Sequence, residues 1–374
     1  MKQKKKKKSG KLQSVLMVVF FMVIGGVCGV FMGPYVGQLM DSGKSGLEIL
    51  VGCILLLAGF YVAMFLQIII HEAGHMVFGL LTGYGFCSFR FMSFMLMKEE
   101  EGMKLRRMSL AGTGGQCLMI PPDMVDGKFP FVLYNLGGSF MNIISGLLFL
   151  GLYFLLGNVA YLSVMLLILA VIGFGFALVN GLPLRLGGVD NDGYNTLSIR
   201  KDPESLRAFW IQLKINELSS KGVRLKDMPE KWFEAPSRQD NAMVASLFAF
   251  HCNRLMDEHR LEEAEEIIET ILSGESAMPG VYKSLLTCDR ICCLLKRGEA
   301  EVAKSLMTKP LTQFMKAMKT YPSVLRTQYI YALLAEQDGK KAEDYLAAFD
   351  KMASRYPYSA DIESERELMV LITG

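Results

Sequence analysis

Histidine and charge of a single sign are both scarce in this chain of 374 residues. It has 4 histidines, and its 40 basic and 37 acidic residues leave a net charge of only +3. So small a positive excess does not support nucleic-acid binding. The 8 cysteines lack the paired spacing of a cysteine metal site, so we expect buried thiols without disulfides.

Charged residues are missing from three long segments, 12–40, 49–70 and 129–184, although 21% of the chain is charged. A helix needs about 20 apolar residues to cross a bilayer. The first two segments each predict one span, and the third is long enough for two. We therefore predict an α-helical membrane protein with about four transmembrane helices, near 13–34, 47–70 (continuing as a helix through residue 75), 130–156 and 160–182.

Lysines precede the first predicted span, which predicts that residues 1–12 form a basic cytoplasmic N-terminus. A signal peptide is disfavoured, because the apolar run is too long and no cleavage site follows it. Four spans then place both termini and the loop 84–128 in the cytoplasm. The basic residues agree, since the external segment 35–46 carries only Lys44. This simple insertion pattern suits a bacterial plasma membrane.

The sequence His71-Glu72-Ala73-Gly74-His75 directly follows the second uncharged segment. On a helix, positions i and i+4 lie on one face, so both imidazoles can bind one metal ion. Glu72 would lie beside that metal, free to take a proton from water. Ionisable residues at membrane depth are costly and usually mark function. The motif therefore predicts a zinc-dependent hydrolase, and the competing interpretation is a pair of interfacial histidines with a solvated glutamate.

Zinc held by two histidines needs a third protein ligand, which leaves one position for water. The end of the fourth predicted span supplies acids at the same side of the membrane. Asp190 and Asp192 follow Pro183 in a segment rich in glycine. Either carboxylate could fold back toward the metal.

Three motifs together resemble the site-2 protease family of intramembrane zinc metalloproteases, over residues 47–195. HEAGH is followed by Asn180-x-x-Pro183 and then by Asp192-Gly193, and residues 137–142 (GGSFMN) are similar to that family's G-P-x-x-N helix motif. The resemblance implies that His71 and His75 bind Zn²⁺, with Asp192 as third ligand and Asp190 as its rival.

The resemblance also implies a catalytic residue, Glu72, which would activate a water at the zinc. Asn142 would stabilise an oxyanion or simply form a bond between helices. The chain departs from the family pattern in two ways: the stretch between Pro183 and Asp192 is longer than in many members, and Ser139 stands where proline is usual.

The loop 84–128 reads as more than a linker. Residues 86–92 predict a strand, residues 98–108 predict a polar turn and a second strand, and a glycine-rich stretch follows. We hypothesise that this stretch offers an edge strand to an unwound substrate, so that the substrate-binding residues would be Gly114, Gly115, Gln116 and also Asn180. The alternative is a structured loop that caps the zinc cavity.

The remainder of the chain predicts a helical connector at 196–238 and a soluble all-α repeat domain at 239–374. Alanines 264, 303 and 342 each follow a polar break and are spaced by 39 residues. This pattern resembles degenerate tetratricopeptide repeats, whose period is about 34 residues. Such repeats stack into a solenoid, which implies a cytosolic protein or peptide partner.

The sequence thus predicts a transmembrane metalloprotease domain at 13–195 that contacts the lipid bilayer and hydrolyses a membrane-anchored protein or peptide precursor, in regulated intramembrane proteolysis. The alternative function is a catalytically inactive membrane scaffold whose repeat domain binds partner proteins.

Overall fold

The computed structural model describes residues 18–19, 22–23, 25–27, 29–30, 33–37, 40, 43–99, 102–110, 113–156, 160–186 and 189–374. The described chain is mostly helical. It divides into two compact units, each treated by itself below. The first contains the residues up to Thr82 together with Pro130–Ser198, and the second contains Gly83–Phe129 together with Ile199–Gly374.

Three helices of the first unit are long and apolar enough to cross a membrane. They are α1 (Gly46–Leu81), α2 (Val132–Leu156) and α3 (Ala160–Gly181), and each packs against the other two. Helix α1 starts where the second span was predicted but continues to Leu81, beyond the predicted end, whereas α2 and α3 lie where the third and fourth spans were predicted. The predicted first span at 13–34 lies largely outside the described residues.

Helix α1 begins with a capping box. The Ser45 hydroxyl accepts a hydrogen bond from the backbone N–H of Glu48, and the Glu48 carboxylate accepts one from the backbone N–H of Ser45. Its 36 residues span about 54 Å, more than the roughly 30 Å of a bilayer's hydrocarbon core. The HEAGH sequence lies in the last third of this helix.

After α3 the chain turns back through a short segment, residues 182–191, which we call the return. Pro183 comes two residues after the end of α3, where it cannot continue the helix. Two short strands, β5 (Arg185–Leu186) and β6 (Val189–Asp190), then pair antiparallel. Helix α4 (Asp192–Arg200) starts directly after them.

The second unit contains a four-stranded antiparallel sheet in the order β3-β2-β1-β4. Its strands are β1 (Gly85–Phe91), β2 (Phe94–Glu99), β3 (Gly102–Arg107) and β4 (Gly115–Ile120). Side chains alternate across β2: Met95 and Met97 are fully buried against Tyr356 and Tyr358, whereas its other apolar side chains are exposed. One sheet face therefore packs on the C-terminal helices.

The helices of the second unit are α5 (Pro203–Ser220), α6 (Ala242–Asp257), α7 (Leu261–Ser273), α8 (Gly280–Lys296), α9 (Ala300–Leu306), α10 (Lys309–Ala317), α11 (Pro322–Leu334), α12 (Gly339–Ala353) and α13 (Ser359–Thr373). The three evenly spaced alanines are buried, each as the fourth residue of its helix, in α7, α9 and α12. Each of these helices packs against the long helix that stands before it in the predicted repeat pattern.

The division of the chain differs from the predicted domain boundaries in two places. The loop 84–128 was expected to belong to the membrane domain, but it forms the sheet of the second unit. The predicted connector 196–238 includes α5, whose Ile211 and Ile215 share a hydrophobic core with Val244 and Leu247 of α6. Apolar side chains in both segments thus bury themselves against the C-terminal helices, which residue spacing alone does not reveal.

Candidate metal centre

Helix α1 places both histidines of the motif on one buried face. His71 and His75 are one turn apart, and their Nε2 atoms are 3.2 Å from each other. Glu72, the predicted base, is buried on the same helix beside His71. The spacing expected from the sequence therefore produces a convergent pair of imidazoles.

The return of the chain after α3 brings Asp192 to these imidazoles. Its Oδ2 atom lies 3.1 Å from the Nε2 atom of His71 and 3.5 Å from that of His75. Asp192 is the first residue of α4, where the helix dipole favours a carboxylate. Burial opposes ionisation of Asp192, but the two imidazoles outweigh it and hold the pKa of this carboxyl below its ordinary value.

The side chain of Asn191 holds this return in position by hydrogen bonds. Its side-chain N–H groups donate to the carbonyl oxygens of Val179 and Leu182 at the end of α3. Its Oδ1 atom accepts from the backbone N–H of Leu184 (3.1 Å) and of Tyr194 (2.8 Å), the latter being the bond of a helix N-cap. One buried amide thus ties the start of α4 to the end of α3.

Gly193 allows the two helices to meet closely at this point. A Cβ atom at this position would lie 2.2 Å from the carbonyl oxygen of Gly181. No other residue fits here unless the backbone moves. This steric limit explains why a glycine follows Asp192. The glycine permits the approach that carries Asp192 to the histidines.

Close backbone contact also explains the glycines that precede Asn142. A Cβ atom on Gly74 of α1 would lie 2.3 Å from the carbonyl oxygen of Gly137 on α2, and one on Gly138 would lie within 2.7 Å of the His71 ring. The small residues let α1 and α2 approach closely, as they do in membrane helix packing. They also leave space for the His71 imidazole between the helices.

Both imidazoles have their Nδ1 atoms committed to oxygen acceptors. His71 Nδ1 lies 2.7 Å from the Oδ1 atom of Asn142, and His75 Nδ1 lies 2.8 Å from the backbone carbonyl oxygen of Tyr134. Because these oxygens only accept, each Nδ1 carries the proton in a neutral imidazole. When both rings are neutral, the Nε2 lone pairs face Asp192 and three acceptors converge, as metal ligands do. When a ring is protonated, its Nε2–H donates to the carboxylate, which is how the imidazoles lower the pKa of Asp192.

This arrangement has the dimensions of a metal site. Bonds of about 2.0–2.1 Å from a tetrahedral zinc ion imply ligand atoms about 3.3–3.4 Å apart. The three separations here are 3.1, 3.2 and 3.5 Å. Three converging lone pairs also repel one another unless a cation or protons lie among them. His71, His75 and Asp192 could therefore hold a metal ion.

Asp190, the rival ligand, has a different partner. Its Oδ1 atom lies 2.8 Å from Nε of Arg185, across the short β5–β6 pair. The Arg185 guanidinium also stacks 4.4 Å from the centre of the Tyr194 ring. The structure therefore brings Asp192, and not Asp190, to the histidines.

Asn142 has the interhelical role of the two that the sequence left open. Its side-chain N–H groups donate to the backbone oxygen (3.1 Å) and the Oε1 atom (2.7 Å) of Gln67, while its own oxygen accepts from His71. Both N–H groups are thus engaged and do not point to an incoming oxyanion. Asn142 instead orients His71 and fixes its tautomer, the usual task of a residue behind a metal ligand.

The predicted substrate-binding residues are divided between the two compact units. The Asn180 side chain donates to the carbonyl oxygen of Phe176 within its own helix. Gly114, Gly115 and Gln116 belong to the other compact unit, where Gly115 and Gln116 begin the edge strand β4.

Three contributors to the site were not singled out from the sequence: Gln67, Tyr134 and Asn191. Gln67 is fully buried in α1, and its Nε2 atom donates to the carbonyl oxygen of Leu169 at 2.9 Å. Its position one turn before His71, as an amide within an apolar run, is a signal that sequence analysis could have used. Tyr134 acts through its backbone carbonyl oxygen, which gives no signal in the sequence. Asn191 lies between Asp190 and Asp192, and only these two acids were considered as ligands.

Comparison of the chain with protein-family models, with curated proteins and with solved structures gave no match.

Proposed function

We propose that this protein is a membrane-embedded zinc endopeptidase that hydrolyses a peptide bond in or next to the membrane segment of a protein or peptide precursor. The proposal rests chiefly on one observation: the Nε2 atoms of His71 and His75 and a carboxylate oxygen of Asp192 converge with separations that suit zinc. The HEAGH, GGSFMN and Asp-Gly motifs, which resemble those of site-2 proteases, add to it.

The remaining chemistry would fall to Glu72. A zinc ion, when bound, would polarise the scissile carbonyl and lower the pKa of a water molecule. Glu72 is buried next to His71, where it would accept a proton from the attacking water and return it to the leaving nitrogen. Asn142, Gln67 and the Tyr134 carbonyl would keep both imidazoles in the tautomer that this chemistry needs.

The surroundings of the site suit a substrate that lies in the membrane. Helices α1 and α2 and the segment Tyr161–Gly181 are long and apolar enough to span a bilayer, and the histidines lie near one end of α1. We propose the bacterial plasma membrane as the location, with both termini in the cytoplasm. The edge strand β4 would offer backbone hydrogen bonds to an unwound substrate segment, and the C-terminal helices would bind a cytosolic peptide or protein.

The decisive experiment compares wild type with Glu72→Gln. Loss of a general base typically costs 10²- to 10⁴-fold in rate, and the change removes no proposed metal ligand. We therefore expect full zinc content in the purified variant, together with accumulation of uncleaved membrane precursors in a proteomic comparison. The matched control is Glu48→Gln at the other end of α1, where glutamine also serves a capping box.

Two results would contradict the proposal. Wild-type protein that is fully functional without zinc would remove the metal from the mechanism. A Glu72→Gln variant that processes every precursor as wild type does would favour the scaffold alternative, in which the site is not catalytic.

A further inference from the structure

Two polar side-chain atoms of α2 are buried beside the metal centre without a hydrogen-bond partner. They are the Nδ2 atom of Asn135 and the Oγ atom of Ser139, in residues that are 7% and 3% exposed. The two residues are four positions apart, so they lie on the same face of the helix, one turn from each other. Buried polar groups are nearly always hydrogen-bonded, so an unpaired pair at one place needs an explanation.

The local helix does not supply that explanation. A serine within a helix commonly donates to the backbone carbonyl one turn earlier. Ser145, six residues nearer the C-terminus of α2, does find partners, because its Oγ atom lies within hydrogen-bond distance of the Gln67 Oε1 atom (3.3 Å) and of the backbone oxygen of Asn142 (3.2 Å). The Oγ atom of Ser139 and the Nδ2 atom of Asn135 instead keep their donor hydrogens free.

Asn135 lies at the His75 side of the centre. Its neighbour Tyr134 is the residue whose carbonyl oxygen accepts from Nδ1 of His75. The Asn135 side chain therefore leaves α2 about 100° around the helix from the residue that anchors this ligand.

Ser139 lies at the side of His71 and Asp192. Its neighbour Gly138 is the residue over which the His71 ring packs. On its other side, the Ser139 Oγ atom would be 3.2 Å from a Cβ atom placed on Gly181, and a Cβ atom placed on Gly193 would in turn meet the carbonyl oxygen of Gly181. Ser139 thus occupies the angle between α2, the end of α3 and the start of α4.

An extended peptide at the metal centre would bring acceptors that need such donors. Its backbone carbonyl oxygens leave their helical partners when the substrate unwinds, and they meet little water at membrane depth. Asn142, the amide that the sequence suggested for stabilising an oxyanion, has both N–H groups committed to Gln67.

We propose that Asn135 Nδ2 and Ser139 Oγ donate hydrogen bonds to backbone carbonyl oxygens of a peptide substrate held at the His71–His75–Asp192 centre. This inference rests on the proposed peptidase function and deepens it, because it assigns the residues that bind the substrate backbone. In the free protein the two donors are unsatisfied, and the substrate completes their hydrogen bonds.

The test uses the full-length, zinc-loaded protein and two metal-directed probes. Acetohydroxamate binds the metal alone, so its affinity reports on the metal site. A hydroxamate attached to a short leucine-rich peptide also offers backbone carbonyl oxygens to the protein. Asn135→Leu and Ser139→Ala are each expected to weaken peptide hydroxamate binding about tenfold, which corresponds to 1.4 kcal/mol. Zinc content and acetohydroxamate affinity should stay at the wild-type level.

Thermal unfolding gives a second readout that a structural role would move in the opposite direction. Removing an unpaired buried polar group should leave the melting temperature unchanged or raise it. The matched control is Ser163→Ala in α3, because the Ser163 hydroxyl is bonded to the Tyr35 hydroxyl at 3.1 Å. That variant should melt at a lower temperature and bind both probes as wild type does.

The outcomes separate this inference from the function on which it rests. Unchanged peptide hydroxamate affinity in both variants, or a lowered melting temperature in both, would overturn the assignment of Asn135 and Ser139 as substrate donors. Failure of the wild-type protein to bind zinc or acetohydroxamate would instead overturn the proposed function itself.

Discussion

Replacement of Asn142 by leucine tests how the metal centre is organised. Leucine has nearly the same size and shape as asparagine but can neither accept from His71 nor donate to Gln67. Gln67 would keep its bonds to the Leu169 carbonyl and to Ser145. The principal loss is therefore the 2.7 Å hydrogen bond that holds the Nδ1 atom of His71.

The size of the effect follows from burial. Asn142 is fully buried, so no water can replace its oxygen at His71. A buried donor left unsatisfied costs about 1–3 kcal/mol. Since 1.4 kcal/mol corresponds to a factor of ten, zinc affinity should fall roughly 5- to 150-fold. Loss of outer-shell partners of metal ligands typically costs 10–100-fold, in agreement with this range.

The assay is competition for zinc between the purified protein and a chelator of known affinity. The matched control is Asn180→Leu, which removes an amide that bonds only within its own helix among the contacts described for it. We expect the control to bind zinc as tightly as wild type. At saturating zinc, the Asn142→Leu variant should recover much of its activity.

A different pair of results would refute this reasoning. If Asn142→Leu binds zinc with wild-type affinity but loses turnover that added zinc does not restore, Asn142 acts on the reacting peptide. The oxyanion role would then be correct, and the hydrogen bond to His71 would be unimportant for metal binding.

The structure makes three further predictions, two for the metal centre and one for the second unit. Asp192→Ala should abolish tight zinc binding, whereas Asp190→Ala should retain it, because that carboxylate pairs with an arginine; equal loss in chelator competition would reopen the choice of ligand. Gly193→Ala should weaken zinc binding in the same assay, since its methyl group would clash with backbone. The pKa of Asp361 is raised to about 7, because burial and then Asp257 disfavour its charge. The folded state therefore keeps this proton between about pH 4 and 7, and stability falls as the pH rises through that window.

The Asp361 prediction has a direct measurement. Asp361→Asn should flatten part of this pH dependence in unfolding followed by tryptophan fluorescence, because both tryptophans of the chain lie in the second unit. A pH profile identical to that of wild type would show that Asp361 does not hold the extra proton.

The course of the three long apolar helices could largely be predicted from the sequence alone. Uncharged segments of sufficient length mark the positions of α2 and α3 and the start of α1, because hydrocarbon excludes charge over a fixed thickness. The spacing of His71 and His75 likewise predicts a shared face, since helix geometry fixes the direction of residues four apart. Both properties are local, so they can be predicted from residue type and spacing.

The sequence alone could not decide the role of a residue whose partners lie far away in the chain. Whether Asp190 or Asp192 faces the histidines depends on how Asn191 ties the return to α3 and how closely Gly193 approaches Gly181. The role of Asn142 depends on Gln67, 75 residues away in the chain. Such contacts arise from helix packing and leave no periodic signal in the sequence.

The sequence by itself thus determined which helices are apolar enough to enter a membrane and which residues have the chemistry to bind a metal, because both follow from side-chain type and local spacing. Only the tertiary structure decided that the loop 84–128 packs with the C-terminal helices. Only packing, too, brings Asp192 to the histidines and commits Asn142 to His71, because the geometry of a site is set by close contacts between segments far apart in the chain.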